Sequence, residues 1–125
     1  MRPELRDSFS NFLEHLDKPE YQGAVICAKG SSIFRAGGVF DSAVRYFREL
    51  YPDVICTSMP MRIRFNSGAE IGFYHVEKIL GMNFSSAMVL VTPALTSRNV
   101  LEVKTRVRPP LRDTRIKGNM WLFEI

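Results

Sequence analysis

Five consecutive apolar residues, Ala87-Met88-Val89-Leu90-Val91, run directly into Thr92-Pro93. An unbroken apolar run of this length reads as a strand covered on both faces. Such a strand requires a sheet with packed layers on each side, so the chain is drawn toward α/β layering. Proline then ends the strand, because it has no N–H to give to a ladder.

The flanking pattern agrees. Residues 3–17 read as a helix, with Leu5, Phe9, Phe12, Leu13 and Leu16 on one face. Asp17-Lys18-Pro19 ends it, since the residue before a proline avoids the helical region. Gly23 to Ala28 is a second continuously apolar run and reads as another doubly covered strand. Lys29-Gly30-Ser31-Ser32 reads as a turn and Gly37-Gly38 as a break. A helix is expected over 39–50, with Phe40, Val44, Phe47 and Leu50 as its stripe and Ala43 between them; Tyr51-Pro52-Asp53 stops it. Met61-Arg62-Ile63-Arg64-Phe65 and Ala69-Glu70-Ile71-Gly72-Phe73 both alternate around Asn66-Ser67-Gly68. That is a hairpin, with glycine placed for a positive φ. A helix over 96–107 stops before Pro109-Pro110, and Met120 to Ile125 reads as a last strand. The expected fold is α/β: a single compact domain over residues 1–125, with a central mixed sheet, a β-hairpin and flanking helices.

The 125 residues suffice for one hydrophobic core. Apolar content of 46% and charged content of 24% suit a soluble globular protein. No run approaches the roughly 20 apolar residues that cross a bilayer. Met1-Arg2-Pro3-Glu4 has no apolar signal core behind it, so a cytoplasmic location is expected. Cys27 and Cys56 lie in apolar, strand-like runs and read as buried reduced thiols. Without a Cys/His cluster, a structural zinc site is not expected.

The net charge of +4 is uneven. Arg98, Lys104, Arg106, Arg108, Arg112, Arg115 and Lys117 face only Glu102 and Asp113, so residues 98–117 carry +5 and the remainder −1. A basic segment suits an acidic partner, either nucleic acid or a protein surface. A solvated helix face and loop explains the same charge. On a helix, Arg106 and Arg108 diverge by about 200°. With the helix ended before Pro109-Pro110, Arg108, Arg112 and Arg115 fall on a loop suited to gripping phosphates or carboxylates.

Ile63 to His75 resembles the hairpin in the ATPase domain of tailed-phage terminase large subunits, which often read Phe-Pro-Ser-Gly-Ala before the second strand. Here Asn66 stands where proline is usual. Ile33 to Asp41 looks like that family's stretch before a helix. Ala87 to Val91 matches the strand that carries its acidic pair, Thr105-Arg106-Val107-Arg108 looks like its Ser-Arg-Leu-Arg segment, and Arg115 to Phe123 takes the place of its next strand. The resemblance covers about residues 23–125 and implies part of a P-loop ATPase core; residues 3–17 form an N-terminal helix outside it.

The departures bear on chemistry. The resemblance places the phosphate loop before Gly23, where there is no glycine to bring backbone N–H groups around phosphates. Lys29-Gly30-Ser31 has the residue types of such a loop in the wrong order. Thr92-Pro93 stands where the family has the acidic pair that holds magnesium and activates water. The family's nuclease domain has no counterpart in residues 1–125. No catalytic residue, metal or cofactor is therefore expected.

Other candidates have plain structural explanations. His75 near Glu77 has the makings of a general base, but a strand-end histidine accounts for it. His15 is read in the same way at a helix edge. Ser31 and Ser32 lack triad partners at motif spacing. Glu14, Glu20 and Glu49 read as solvated carboxylates. The aromatic residues at 40, 47, 65 and 73, and Trp121, read as core. The expectation is a non-enzymatic phage or prophage protein that binds a protein partner, from the packaging machine or from the host and its defences. The alternatives are a DNA-binding accessory using residues 98–117 and a residual nucleotide-binding protein.

Overall fold

The computed structural model describes residues 2–28 and 38–125. The turn read at 29–32, the first glycine of Gly37-Gly38 and residues 33–37 of the terminase-like stretch lie outside them.

The elements are α1 (Pro3–Ser10), β1 (Gln22–Cys27), α2 (Val39–Leu50), β2 (Ile55–Ser58), β3 (Met61–Arg64), β4 (Glu70–His75), β5 (Ser86–Val91), α3 (Ser97–Arg106) and β6 (Met120–Glu124). The strands form one mixed sheet in the order β2-β3-β4-β1-β5-β6. Strand β1 runs parallel to β4 and β5, and β5 parallel to β6; β2-β3 and β3-β4 are antiparallel. Helices α1 and α2 cover one face through Leu5, Phe9, Phe40, Ala43 and Phe47. Helix α3 covers part of the other through Val103.

The doubly covered strands sit as their composition requires. In β1, Val25 and Cys27 join the first core while Ala24 and Ile26 join the second. In β5, Met88 and Leu90 face α1 and α2, and Ala87 and Val89 face α3; all are fully buried. Strand β5 is interior, one position in from the β6 edge. The hairpin forms with Gly68 at φ 103°, and Phe65 N–H donates to Ala69 O across the loop at 2.9 Å. The four aromatic residues expected in the core are buried, whereas Trp121 packs against it half-buried.

Four readings need correction. The helix over 3–17 is in fact α1 followed by a separate 3₁₀ turn, Leu13–His15. The hydroxyls of Ser8 and Ser10 donate back to Glu4 O and Asp7 O, and such bonds together with the weak helix former Asn11 loosen the helix there. The apolar stripe survives the break: Phe12 and Leu16 are still buried. Strand β2 is an element that the sequence pattern does not predict. It is an edge strand with mostly exposed side chains, so it has no burial alternation to read. Finally, both cysteines are free, but only Cys27 is buried and Cys56 is half-exposed. On α2, Leu50 also falls outside the core, at the helix end.

Candidate functional site

Ligands of open α/β sheets gather beyond the carboxyl ends of the parallel strands. Here those ends are Ala28 after β1, His75 in β4, Thr92 after β5 and Ile125 after β6. Leu95 N–H donates to Thr92 O at 3.0 Å, closing a turn with Pro93 in its second position, where a fixed φ suits it. Thr96 then caps α3: its hydroxyl accepts from Asn99 N–H at 3.1 Å, and the Asn99 amide oxygen accepts from Thr96 N–H at 3.0 Å. Thr92-Pro93 thus serves as punctuation between β5 and α3.

Beside it, Cys27 Sγ lies 3.4 Å from His75 Nδ1, which is also 3.4 Å from Ala28 O. Burial pushes the Cys27 thiol up to about 12, with Glu77 adding to the effect. The thiol is neutral at physiological pH, and a neutral thiol is a poor nucleophile. Among the described residues, no group of three or more His, Cys, Asp and Glu side chains is arranged to hold a metal.

The basic segment spans the height of the sheet. Arg98 is in the first turn of α3, near the strand carboxyl ends, while Lys104 and Arg106 are in its last turn. Arg108, Arg112, Arg115 and Lys117 lie on the loop 107–119, at the amino ends of β5 and β6. Two of the seven bases are neutralised from within. Arg106 Nη2 lies 2.7 Å from Glu102 Oε1. Arg115 grips Asp113 with two bonds, of 2.9 and 2.8 Å, and holds that carboxyl down at about 2. Among the described residues, Arg98, Lys104, Arg108, Arg112 and Lys117 form no ion pair. An open depression of about 480 Å³ lies between Pro19, Glu20 and residues 112–115, with charges of both signs on its rim.

The loop is anchored despite its exposed arginines. Phe84 N–H donates to Arg106 O, Arg108 N–H to Phe84 O and Ala87 N–H to Asn119 O. Ile116 is buried beneath it. Gly118 fits against Pro109, where a Cβ would come within 2.8 Å of the ring.

One anchor carries no signal in the local sequence pattern. His15 is buried, stacked on Tyr21 with centroids 4.9 Å apart, and its Nε2 is 3.4 Å from Lys117 N and 3.2 Å from Glu14 Oε1. Among the described residues, His15 Nδ1 has no hydrogen-bond partner, and the Tyr21 hydroxyl has only the Ser86 side chain near it, without good hydrogen-bond geometry. Burial lowers the His15 pKa from 6.5 and outweighs the opposing pull of Glu14. The folded state therefore holds the ring neutral, while the unfolded chain takes up a proton near 6.5. Stability is expected to be full above that value and to decline as pH falls below it, until the folded ring also protonates. Thermal melts between pH 7 and 4 of the parent and of His15→Phe should show this decline only in the parent. Equal declines would remove His15 as the cause.

A second polar group lies on the sheet face that α3 leaves open. Glu70 Oε2 is shared by Arg62 at 3.2 Å and Arg64 at 3.5 Å. Tyr74 lies across Gly72, where any Cβ would collide with its phenol. The period-two pattern carries this arrangement: Met61, Ile63 and Phe65 face the core, so Arg62 and Arg64 face away.

The fold is similar to that of the large terminase from a thermophilic bacteriophage, with a TM-score of 0.61 and 15% sequence identity over 92% of this chain. The match spans 29% of the terminase chain. At this identity the likeness establishes a terminase-like fold and nothing finer. No family model and no curated protein matches the sequence. Among the described residues, no helix is long and apolar enough to cross a membrane.

Proposed function

We propose that this chain is a phage-related, non-enzymatic protein that acts by binding a protein partner, drawn from the packaging machine or from a host or defence component in the host cytoplasm. The terminase-like fold supports the phage connection. The observation that carries the non-enzymatic reading is the β5 end: a Thr-Pro turn stands where the resemblance calls for an acidic pair, and neither side chain supplies a carboxylate for magnesium or for activating water. The neutral Cys27 thiol nearby adds no nucleophile.

The test is a melt with millimolar MgATP together with a phosphate-release assay. A ligand bound to the folded state at 100 times its Kd adds about 2.7 kcal/mol, which a melt detects. The expected result is no shift and no release, with a stoichiometric protein partner recovered from infected cells. A clear shift would overturn the reading.

The five bases without an ion pair support a second reading, DNA binding through residues 98–117. Nucleic acid would give a steep fall of log affinity with log salt, weakened by replacing Arg108, Arg112 and Arg115 with alanine. A protein partner seated on an apolar centre would give a shallow one.

A further inference from the structure

Among the described residues, no strand pairs with the outer side of β6, whose sequence is largely apolar. Ala87 N–H donates to Asn119 O and Ile125 N–H to Val91 O, so the odd-numbered residues of this strand turn their backbone groups toward β5. Met120, Leu122 and Glu124 therefore turn both N–H and C=O outward, and no described residue takes them. Natural edge strands are guarded by charged side chains, lysine above all, by proline, a bulge, short length or a covering segment, and here Glu124 at the end is the one charge. Met120-Trp121-Leu122-Phe123-Glu124 has no lysine or proline, and it pairs with β5 residue for residue from Ala87↔Met120 to Val91↔Glu124, without a bulge. Leu122, at its centre, is 57% exposed. The opposite edge differs: β2 is shorter, and Thr57 and Ser58 occupy its second half.

We infer that the β6 edge pairs with the same edge of a second copy of this chain, antiparallel and two-fold symmetric, joining the two sheets into one. The geometry of the strand selects this occupant. The three outward-facing residues are symmetric about Leu122. With Leu122 on the two-fold axis, it meets the partner's Leu122, and Met120 meets the partner's Glu124. Every outward N–H and C=O of both strands then finds a partner in that one register. The exposed leucine is buried against its own copy. On the other face, Trp121 comes opposite the partner's Phe123, an aromatic cross-strand pair. The two Glu124 carboxylates stand four residues apart along the strands, about 14 Å, beyond the Debye length of about 8 Å at physiological salt. An added parallel strand would instead need a long crossover connection or another protein. This inference does not depend on the proposed function.

Sedimentation of the full chain across a dilution series should give twice the monomer mass of 14.3 kDa, falling to the monomer only on dilution. Leu122→Lys puts like charges on the axis, and Leu122→Pro removes an outward N–H without touching the β5 ladder. Both should yield monomers. Leu122→Cys tests the register without weakening the edge. Facing Cα atoms about 5.5 Å apart lie within disulfide range, so mild oxidation should give a reducible dimer, whereas Leu101→Cys, exposed on α3, should not. A parent that stays monomeric at every concentration would overturn the proposal. So would a dimer that persists in Leu122→Lys, or a Leu122→Cys variant that crosslinks no better than Leu101→Cys. If the parent is monomeric yet a partner protein protects the Met120–Glu124 amides from exchange, the edge takes a foreign strand and the self-pairing is refuted.

Discussion

Val89→Asp is expected to abolish the cooperative melt. Val89 is fully buried in β5, in register with Ile26 on one side and Leu122 on the other. Its core neighbours include Ala24, Ile26, Ile79, Phe84 and Val103, none of them cationic. A carboxylate there is ionised and unpaired or protonated and poorly hydrogen-bonded, and either state costs several kcal/mol. Against a typical total of about 5–15 kcal/mol, that removes most or all of the stability. Thr92→Asp, three residues on and half-exposed at the start of the turn, should fold normally. Circular dichroism melts of the two variants make the comparison. A cooperative Val89→Asp transition near the parent's would mean that β5 is not the interior strand described.

The contrast between Val89 and Thr92 also shows where the sequence was informative. Runs such as 87–91 and 23–28 are legible because a doubly covered strand has only one composition open to it, whatever lies around it. The hairpin is legible because its strands alternate and Gly68 needs a positive φ. Strand β2 is not legible: Ile55–Ser58 gains its ladder from β3 and little burial from elsewhere. The break in the first helix is hidden too, because the apolar spacing of Leu5, Phe9, Phe12 and Leu16 fits a continuous helix and a helix plus a 3₁₀ turn alike.

The candidate site divides in the same way. Charge is additive along a sequence, so the excess at 98–117 is visible at once. Pairing is not: Arg106 and Arg115 are neutralised by Glu102 and Asp113, and the remaining bases are distributed over both ends of the sheet. His15 shows the limit most clearly. Its contact with Lys117 N crosses 102 residues of sequence, so a histidine read as lying at a helix edge is instead a buried anchor for the basic loop.

Phe12→Ala should lower the melting temperature by about 10–20 °C, following a cost of about 3–5 kcal/mol for removing a buried phenylalanine. Phe12 has no exposed surface. It sits edge-on to Tyr21 and Trp121, with ring centroids 6.5 and 5.3 Å away. It also occupies the space left by the missing side chain of Gly23, where a Cβ would be 2.9 Å from its ring. The residue therefore joins the start of β1 to β6, and its loss leaves a cavity bounded by strands that cannot close in on it. Trp121 fluorescence should change in the folded variant, because its ring contact is gone. Glu4→Ala, exposed on α1, should melt within about 0.5 kcal/mol of the parent. A Phe12→Ala melt close to the parent's would make residues 3–17 an appendage. The large loss would instead make them part of the core, in keeping with a structural likeness to the large terminase that covers 92% of this chain. A partner using this segment would then be limited to its outer side, around Glu4, Arg6 and Asp7, and could not draw the helix away without unfolding the domain.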